Sequence, residues 1–160
     1  MTAPDDLICP ASSIFDAVQT RSAIDAAIAT LTGPRDIRRA TVDILTAAQK
    51  VGRDAIQAAF EAAPFDARPT TCAYSYLTDH LVGETLYVAT TYLHPLPNPT
   101  ESERLSLIAV GGYGRGEMAP QSDVDLLFLT PYKITPWAES MIESMLYILW
   151  DLKLEVGHAS

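Results

Sequence analysis

Residues 111–125 read Gly-Gly-Tyr-Gly-Arg-Gly-Glu-Met-Ala-Pro-Gln-Ser-Asp-Val-Asp, and this stretch decides the fold predicted for the 160-residue chain. It lies between two apolar runs, Leu-Ser-Leu-Ile-Ala-Val before it and Leu-Leu-Phe-Leu after it. Short apolar runs bounded by glycine are typical of buried strands. The pattern therefore predicts a strand over about Leu105 to Val110, a glycine turn, and a second strand over about Val124 to Thr130.

Two aspartates open the second predicted strand. Alternate residues of a strand point to the same face, so Asp123 and Asp125 project together while Val124 turns toward a core. Neighbouring carboxylates repel each other, and a divalent cation removes that repulsion. Hard oxygen ligands suit Mg²⁺. The spacing therefore predicts a metal site formed by Asp123 and Asp125.

The glycines upstream of the aspartates predict a phosphate site. At Gly111 and Gly112 the backbone can approach a ligand closely and present its N–H groups to phosphate oxygens. A phosphate cradle beside a metal site is the arrangement needed to hold a nucleoside triphosphate. The expected chemistry is phosphoryl or nucleotidyl transfer.

Two further residues of the stretch have two interpretations each. Ser122 either caps the turn or donates a hydrogen bond to a phosphate. Arg115 either pairs with an acidic neighbour such as Glu117, or contacts the triphosphate with its guanidinium. We include both residues among the candidate nucleotide-binding residues, with the structural alternatives left open.

The motif also resembles a known family. A Gly-Gly pair separated by ten residues from Asp-x-Asp resembles the DNA polymerase β nucleotidyltransferase superfamily. The longer string Gly-Gly-x-Gly-Arg-x-Glu-x-x-Pro-x-Ser-Asp-x-Asp-Leu resembles the amino-terminal catalytic domain of bacterial protein-PII uridylyltransferases, as does the tract at residues 149–158. The resemblance implies an α/β (α+β) fold, with a polymerase β-like mixed sheet preceded by a helical amino-terminal region.

The resemblance also implies a reaction and its partners. The enzyme would transfer UMP from UTP to a tyrosine of the PII signalling protein in nitrogen regulation, with Mg²⁺ held by Asp123 and Asp125. A third carboxylate usually completes such a site. Glu155, between Leu154 and Val156, is one candidate for it, and a residue beyond position 160 is the other.

Length limits which functions can be carried over from the family. We expect residues 1–100 to form the helical region and residues 101–160 to form the start of the nucleotidyltransferase core, truncated at its carboxyl end. The family's enzymes are longer and carry further domains. Two alternatives remain: a minimal stand-alone nucleotidyltransferase acting on another protein or a small molecule, and an inactive nucleotide-binding fragment.

Composition argues against several classes of partner. The net charge is −9, from 20 acidic and 11 basic residues, which disfavours binding to nucleic acid. The chain has no run of about 18 apolar residues, so we expect no membrane-spanning helix. Residues 1–6 do not resemble a signal peptide, so we expect a cytoplasmic protein in which Cys9 and Cys72 are thiols.

Helical periodicity predicts the remaining elements. A first helix is expected to begin after Ser12 or Ser13 and to end at Gly33-Pro34, with an apolar stripe that includes Val18. A second helix is expected over about residues 36–62 and a third over about 73–93, after a turn at 62–69. Thr135 and Pro136 predict the start of a last helix reaching about Trp150. Residues 152–156 are expected to begin a third strand. The inner face predicted for the second helix is Ile37, Thr41, Ile44, Ala48, Val51, Ala55 and Ala59.

Overall fold

The computed structural model describes residues 6–160 and combines a helical layer with a small mixed sheet, which confirms the α/β fold class. The expectation that residues 1–6 form no signal peptide concerns a segment that, except for Asp6, lies outside the described residues. In chain order, the elements are α1 (Ala11–Ile14), α2 (Ala17–Ile28), α3 (Pro34–Ala62), α4 (Ala67–Val88), a π-helical turn (Ala89–Leu93), a 3-10 turn (Glu101–Glu103), β1 (Ser106–Ala109), α5 (Gly111–Gly114), β2 (Val124–Leu129), α6 (Pro136–Asp151) and β3 (Val156–Ala159).

The amino-terminal helix is broken, so the prediction of one continuous helix was wrong. The chain is extended at Phe15, and the side chain of Asp16 caps α2 by accepting a hydrogen bond of 3.0 Å from the N–H of Gln19. The cap is therefore Asp16 rather than Ser12 or Ser13. The break also changes which residues face inward, and Val18 is 80% exposed.

Helix α2 ends at Ile28, before the predicted end at Gly33-Pro34, and α3 begins at Pro34, two residues before its predicted start at about residue 36. The buried face of α3 departs from the predicted one after Thr41, and Val51 is 63% exposed. Two of the buried positions, Gln49 and Gly52, carry no apolar side chain, so periodicity could not reveal them. The buried residues are Ile37, Thr41, Leu45, Gln49, Gly52 and Ile56.

Helix α4 begins at Ala67, six residues before the predicted start, so the turn predicted at 62–69 is shorter than expected. Pro69 lies in the first turn of α4. The N–H groups of that turn have no carbonyl partner within the helix, so proline, which lacks an N–H, costs no hydrogen bond there. The helix packs against α3, α6 and the short α1. It continues into the π-helical turn at Ala89–Leu93.

The three strands form one sheet in the order β1-β2-β3. β1 and β2 are antiparallel, whereas β2 and β3 are parallel and are joined through α6. Val124, Leu126 and Phe128 of β2 are buried, while the alternate positions are more exposed. Buried residues of the helices and of this face of the sheet belong to one hydrophobic cluster.

Helix α6 begins as predicted: the Thr135 side chain accepts a hydrogen bond of 3.2 Å from the N–H of Ala138, and Pro136 is the first helical residue. The third strand begins later than predicted. Lys153 adopts a left-handed conformation (φ 63°) after α6 ends, and this turn displaces the start of β3 to Val156.

The state of the two cysteines and the apolar character of the helices are seen directly in the described residues. Cys9 and Cys72 are free thiols, as predicted. Among residues 6–160, none of the helices combines the length and apolar character needed to cross a membrane.

The packing of α3 and α4 predicts opposite effects for the same substitution at one glycine of each helix. A Cβ at Gly52 would lie 2.8 Å from Leu77 Cδ1 and closer still to the Ile14 carbonyl oxygen, whereas a Cβ at Gly83 would meet nothing within 4 Å. We expect Gly52→Ala to lower the free energy of unfolding by about 1–3 kcal/mol through overpacking. Gly83→Ala, the control, should raise it by about 0.5–1 kcal/mol because alanine favours the helix. Urea denaturation followed by circular dichroism measures both, and equal effects would contradict the packing.

Candidate active site

The carboxylate of Asp125 lies between two glycine backbones. In the β2–β3 register, Asp125 is directly opposite Gly157. A Cβ at Gly157 would lie 2.6 Å from Asp125 Oδ1, and a Cβ at Gly111 would lie 2.6 Å from Oδ2. Each carboxylate oxygen therefore occupies space that a side chain on the adjacent backbone would fill. Gly111 has a φ of 62°, a conformation that residues with a Cβ rarely adopt.

The other predicted ligand, Asp123, lies one residue before β2 and is exposed. The observed start of β2 at Val124 agrees with the strand predicted over about Val124 to Thr130. Val124, between the two aspartates, is fully buried, and its N–H donates a hydrogen bond of 2.8 Å to the Glu155 carbonyl oxygen. Val124 thus faces the core as predicted and anchors the start of β2 to the residue preceding β3.

The chemistry of these two carboxylates fits a hard divalent cation. In the part of the chain that the structure describes, neither Asp123 nor Asp125 forms an ion pair with a lysine or an arginine. Asp125 is half-buried within β2, where an unneutralised carboxylate is costly. Carboxylate oxygens are the ligands that Mg²⁺ prefers. A role of this pair in metal binding stays a prediction.

A third metal-binding side chain does not join the pair among residues 6–160, where no group of three His, Cys, Asp or Glu side chains is gathered. Glu155 is exposed and lies directly before β3. Its carbonyl oxygen is engaged by Val124, whereas its carboxylate forms no group with the aspartates. Glu155 and a residue beyond position 160 stay the two predicted candidates for the third carboxylate.

The glycine-rich segment forms a one-turn helix, α5, between β1 and β2. Hydrogen bonds of 2.9 Å from Gly114 N–H to the Val110 oxygen and of 2.9 Å from Glu117 N–H to the Gly112 oxygen close the turn. The N–H of Val110 also donates to the Asp125 carbonyl oxygen at 3.0 Å, which ties the turn to β2. The first N–H groups of a helix have no carbonyl partner four residues back. The N–H groups of Gly111 and Gly112 therefore lie at the start of the turn, and phosphate binding by them stays a prediction.

Arg115 and Ser122 make the structural contacts that the sequence left open. Arg115 Nε lies 3.1 Å from Glu117 Oε2, in an exposed ion pair. Ser122 Oγ accepts a hydrogen bond of 2.9 Å from the N–H of Ala119, which closes the connection before β2. An exposed ion pair is worth little, so Arg115 remains free to exchange its partner. Nucleotide binding by either residue stays a prediction.

The sequence-based predictions missed the contacts by which α4 holds the glycine turn. Tyr113 is 6% exposed, and its hydroxyl donates a hydrogen bond of 2.7 Å to Asp79 Oδ1. The N–H of Met118 donates to Ser75 Oγ at 3.3 Å. Polar residues on an otherwise buried helix face were the only signal for these contacts, and such residues are common in helices without any function.

A depression of about 280 Å³ opens beside Asp125 on the more exposed face of the sheet. It brings the carboxylate together with residues from the ends of β1 and β3. The lining residues are Val110, Asp125, Leu126, Leu127, Gly157, His158 and Ala159.

Comparison with known proteins assigns a family to this arrangement. Residues 99–153 match the family described as the nucleotidyltransferase domain, and these residues include both aspartates and the glycine turn. No solved structure gives a significant match to the chain.

Curated relatives extend the similarity to most of the chain. The chain is 58% identical over 147 residues to the bifunctional uridylyltransferase/uridylyl-removing enzyme of Ruegeria pomeroyi, which covers 92% of the chain and 16% of that enzyme. It is 55% identical over 156 residues to the enzyme of the same name from Cereibacter sphaeroides, covering 96% of the chain and 17% of the relative. For the Azospirillum brasilense enzyme, also of that name, the identity is 48% over 125 residues, 77% of the chain and 13% of the relative. The chain thus spans about one sixth of the length of the first two relatives.

The contact between Gly111 and Asp125 predicts a difference between two glycines that both have positive φ. Gly111→Ala must accept left-handed strain of about 1–2 kcal/mol and also displace the Asp125 carboxylate. Gly116 has a φ of 70°, and a Cβ added there would meet nothing within 4 Å, so Gly116→Ala should show the strain alone. We expect Gly111→Ala to be more destabilising by about 1 kcal/mol or more. Thermal and urea unfolding of both variants measure this difference, and equal stabilities would show that the carboxylate is not confined by Gly111.

Proposed function

Because the chain belongs to the family of bifunctional uridylyltransferase/uridylyl-removing enzymes, of which it spans about one sixth, we propose that it transfers UMP from UTP to a tyrosine of the PII signalling protein. The chain carries a nucleotidyltransferase domain homologous to these enzymes. The use of UTP as the nucleotide, of PII as the acceptor protein and of Mg²⁺ as the metal is proposed.

One observation supports the proposal above the others: the Asp125 carboxylate faces the start of the glycine turn. Gly111 brings its backbone against Asp125 Oδ2, so a phosphate bound by the N–H groups of the turn would lie next to the carboxylate pair. Phosphate and carboxylate are both anionic and would repel each other without a cation between them. The arrangement therefore suits a triphosphate bound together with Mg²⁺.

We propose that Asp123 and Asp125 hold Mg²⁺, which when bound would neutralise the charge that develops on the phosphates. The carboxylate of Asp125 is oriented for this task by Gly111 and Gly157 on its two sides. The N–H groups of Gly111 and Gly112 would hold the phosphates, and Arg115 and Ser122 would contribute further donors if they exchange their present partners. The chain's own residues would thus position the triphosphate and help to neutralise its charge, and none of them acts as a covalent nucleophile.

In the proposed reaction, the hydroxyl oxygen of the acceptor tyrosine forms a bond to the α-phosphorus of UTP. The bond between the α-phosphorus and the oxygen bridging to the β-phosphate breaks, and pyrophosphate leaves. The hydroxyl proton is released to solvent. The product is a tyrosine–UMP phosphodiester, and the reaction requires no oxidant or reductant.

The charge of the chain favours a protein acceptor over a nucleic acid. With 20 acidic and 11 basic residues, the chain offers little to neutralise a polyanionic backbone. The uridylyltransferase relatives are consistent with a nucleotide substrate and a protein acceptor.

The test is Mg²⁺-dependent transfer of labelled UMP from UTP to purified PII by this chain. We expect Asp125→Asn to lower the initial rate by at least about 100-fold, the scale on which loss of one preorganised electrostatic partner of the transition state reduces turnover. Asp43→Asn, an exposed aspartate of α3, is the matched control and should keep the wild-type rate. Circular dichroism establishes that both variants are folded.

The outcomes separate the competing functions. Turnover by Asp125→Asn at the wild-type rate would contradict the assignment of the metal site. Binding of Mg-UTP without transfer would favour the inactive nucleotide-binding fragment. Transfer of UMP to another protein or to a small molecule, but not to PII, would favour the minimal nucleotidyltransferase.

A further inference from the structure

Helix α4 holds the glycine turn through a partly buried hydrogen bond. Tyr113 lies in the middle of the turn, and its ring is buried in the core that the turn shares with the helical layer. Its hydroxyl donates to Asp79 Oδ1 at 2.7 Å. Asp79 is 34 residues away in sequence, so the contact connects the amino-terminal helices to the candidate active site.

A second contact lies one helical turn away on the same helix. Ser75 is completely buried, and its Oγ accepts a hydrogen bond of 3.3 Å from the N–H of Met118. Residues four apart on a helix are neighbours on one face. Ser75 and Asp79 therefore form one surface of α4 that holds the segment from Tyr113 to Met118 at two points.

The chemistry of the Tyr113 contact makes it directional. Burial, reinforced by the negative charge of Asp79, raises the pKa of the Tyr113 hydroxyl well above its usual value, so the hydroxyl stays protonated and remains a donor. A carboxylate is a stronger acceptor than a neutral oxygen. A buried hydroxyl that lost this acceptor would be left unsatisfied, which is costly.

The turn that this contact holds is the one that borders Asp125. Gly111 lies two residues before Tyr113, and Gly114 follows it, so the position of the Tyr113 ring sets where the first N–H groups of the turn lie relative to the carboxylate. We propose that Asp79 is a positioning residue for nucleotidyl transfer, which acts through Tyr113 to hold the phosphate-binding turn against Asp125. This inference rests on the proposed function, because it specifies how the same site is assembled.

The first experiment compares two substitutions that each remove a tyrosine hydroxyl bonded to an aspartate. Tyr113→Phe keeps the buried ring and removes only the bond to Asp79. Tyr87→Phe is the matched control, since the Tyr87 hydroxyl donates to Asp25 Oδ1 at 2.8 Å on the side of α4 that faces α2. We expect Tyr113→Phe to raise the KM for UTP by about ten-fold, the factor that corresponds to one charge-assisted hydrogen bond. Tyr87→Phe should leave that KM unchanged.

The split between KM and kcat distinguishes positioning from general stability. A variant that is only less stable lowers the fraction of active molecules, which reduces kcat and leaves the KM for UTP unchanged. An increase in KM for UTP with no change in KM for PII therefore supports the proposal. A fall in kcat alone, equal in Tyr113→Phe and Tyr87→Phe, would overturn it.

The role of the Asp79 carboxylate as the hydrogen-bond acceptor of Tyr113 is tested by two substitutions. Asn keeps a side-chain oxygen that can accept the hydrogen bond, whereas Ala removes it. We expect Asp79→Asn to retain most of the wild-type affinity for UTP and Asp79→Ala to resemble Tyr113→Phe. Equal behaviour of Asp79→Ala and the wild type would contradict a positioning role.

A measurement without substrate separates this inference from the proposed function. Hydrogen–deuterium exchange of the free chain reports the order of residues 111–118 directly. We expect faster exchange in this segment for Tyr113→Phe but not for Tyr87→Phe, with β2 unchanged in both. Unchanged exchange of the segment in Tyr113→Phe would overturn the inference even if the chain transfers UMP, and faster exchange in a chain that transfers nothing would refute only the proposed function.

Discussion

The confinement of one carboxylate by two backbones is the constraint on which the site depends. Asp125 has Gly157 opposite it in the parallel β2–β3 pair and Gly111 beside its other oxygen. No residue with a side chain fits at either position without moving the carboxylate. The parallel pairing in turn requires the crossover through α6, since adjacent parallel strands cannot be joined by a tight turn. The site is thus a product of the β2–α6–β3 unit together with the turn that precedes it.

The helical layer also helps to hold the glycine turn in place, through side chains of α4. α4 packs in the centre of this layer, and its Ser75 and Asp79 reach the segment that follows β1. One hydrophobic cluster includes residues of α2, α3, α4, α6 and the buried face of β2. Because the cluster is continuous, a change in the packing of the helices is expected to reach the glycine turn as well as the sheet. The core includes residues on both sides of the boundary between the predicted helical region at residues 1–100 and the predicted start of the nucleotidyltransferase core at residues 101–160.

The sequence-based predictions succeeded where short-range signals, an apolar run or a capping residue, mark an element. β2 covers nearly the predicted residues with Val124 facing the core, and α6 begins at the predicted cap. They were wrong where a local polar group or a small residue determines the structure. Asp16 caps α2 after the chain is extended at Phe15, Pro69 is accommodated in a first turn, and Gly52 is buried because neighbouring elements approach it closely. None of these effects appears in an average over hydrophobic spacing.

The sequence by itself determined the fold class, the nucleotidyltransferase motif and the order of glycine turn and aspartates, because these follow from local spacing and from the chemical nature of a few neighbouring residues. The tertiary structure decided which distant residues meet that motif. Gly157 reaches Asp125 only through the register of β2 and β3, and Asp79 reaches Tyr113 only because α4 packs beside the turn. Such contacts depend on how whole elements pack, and the packing is set by the combined burial of many side chains rather than by any one segment of the chain.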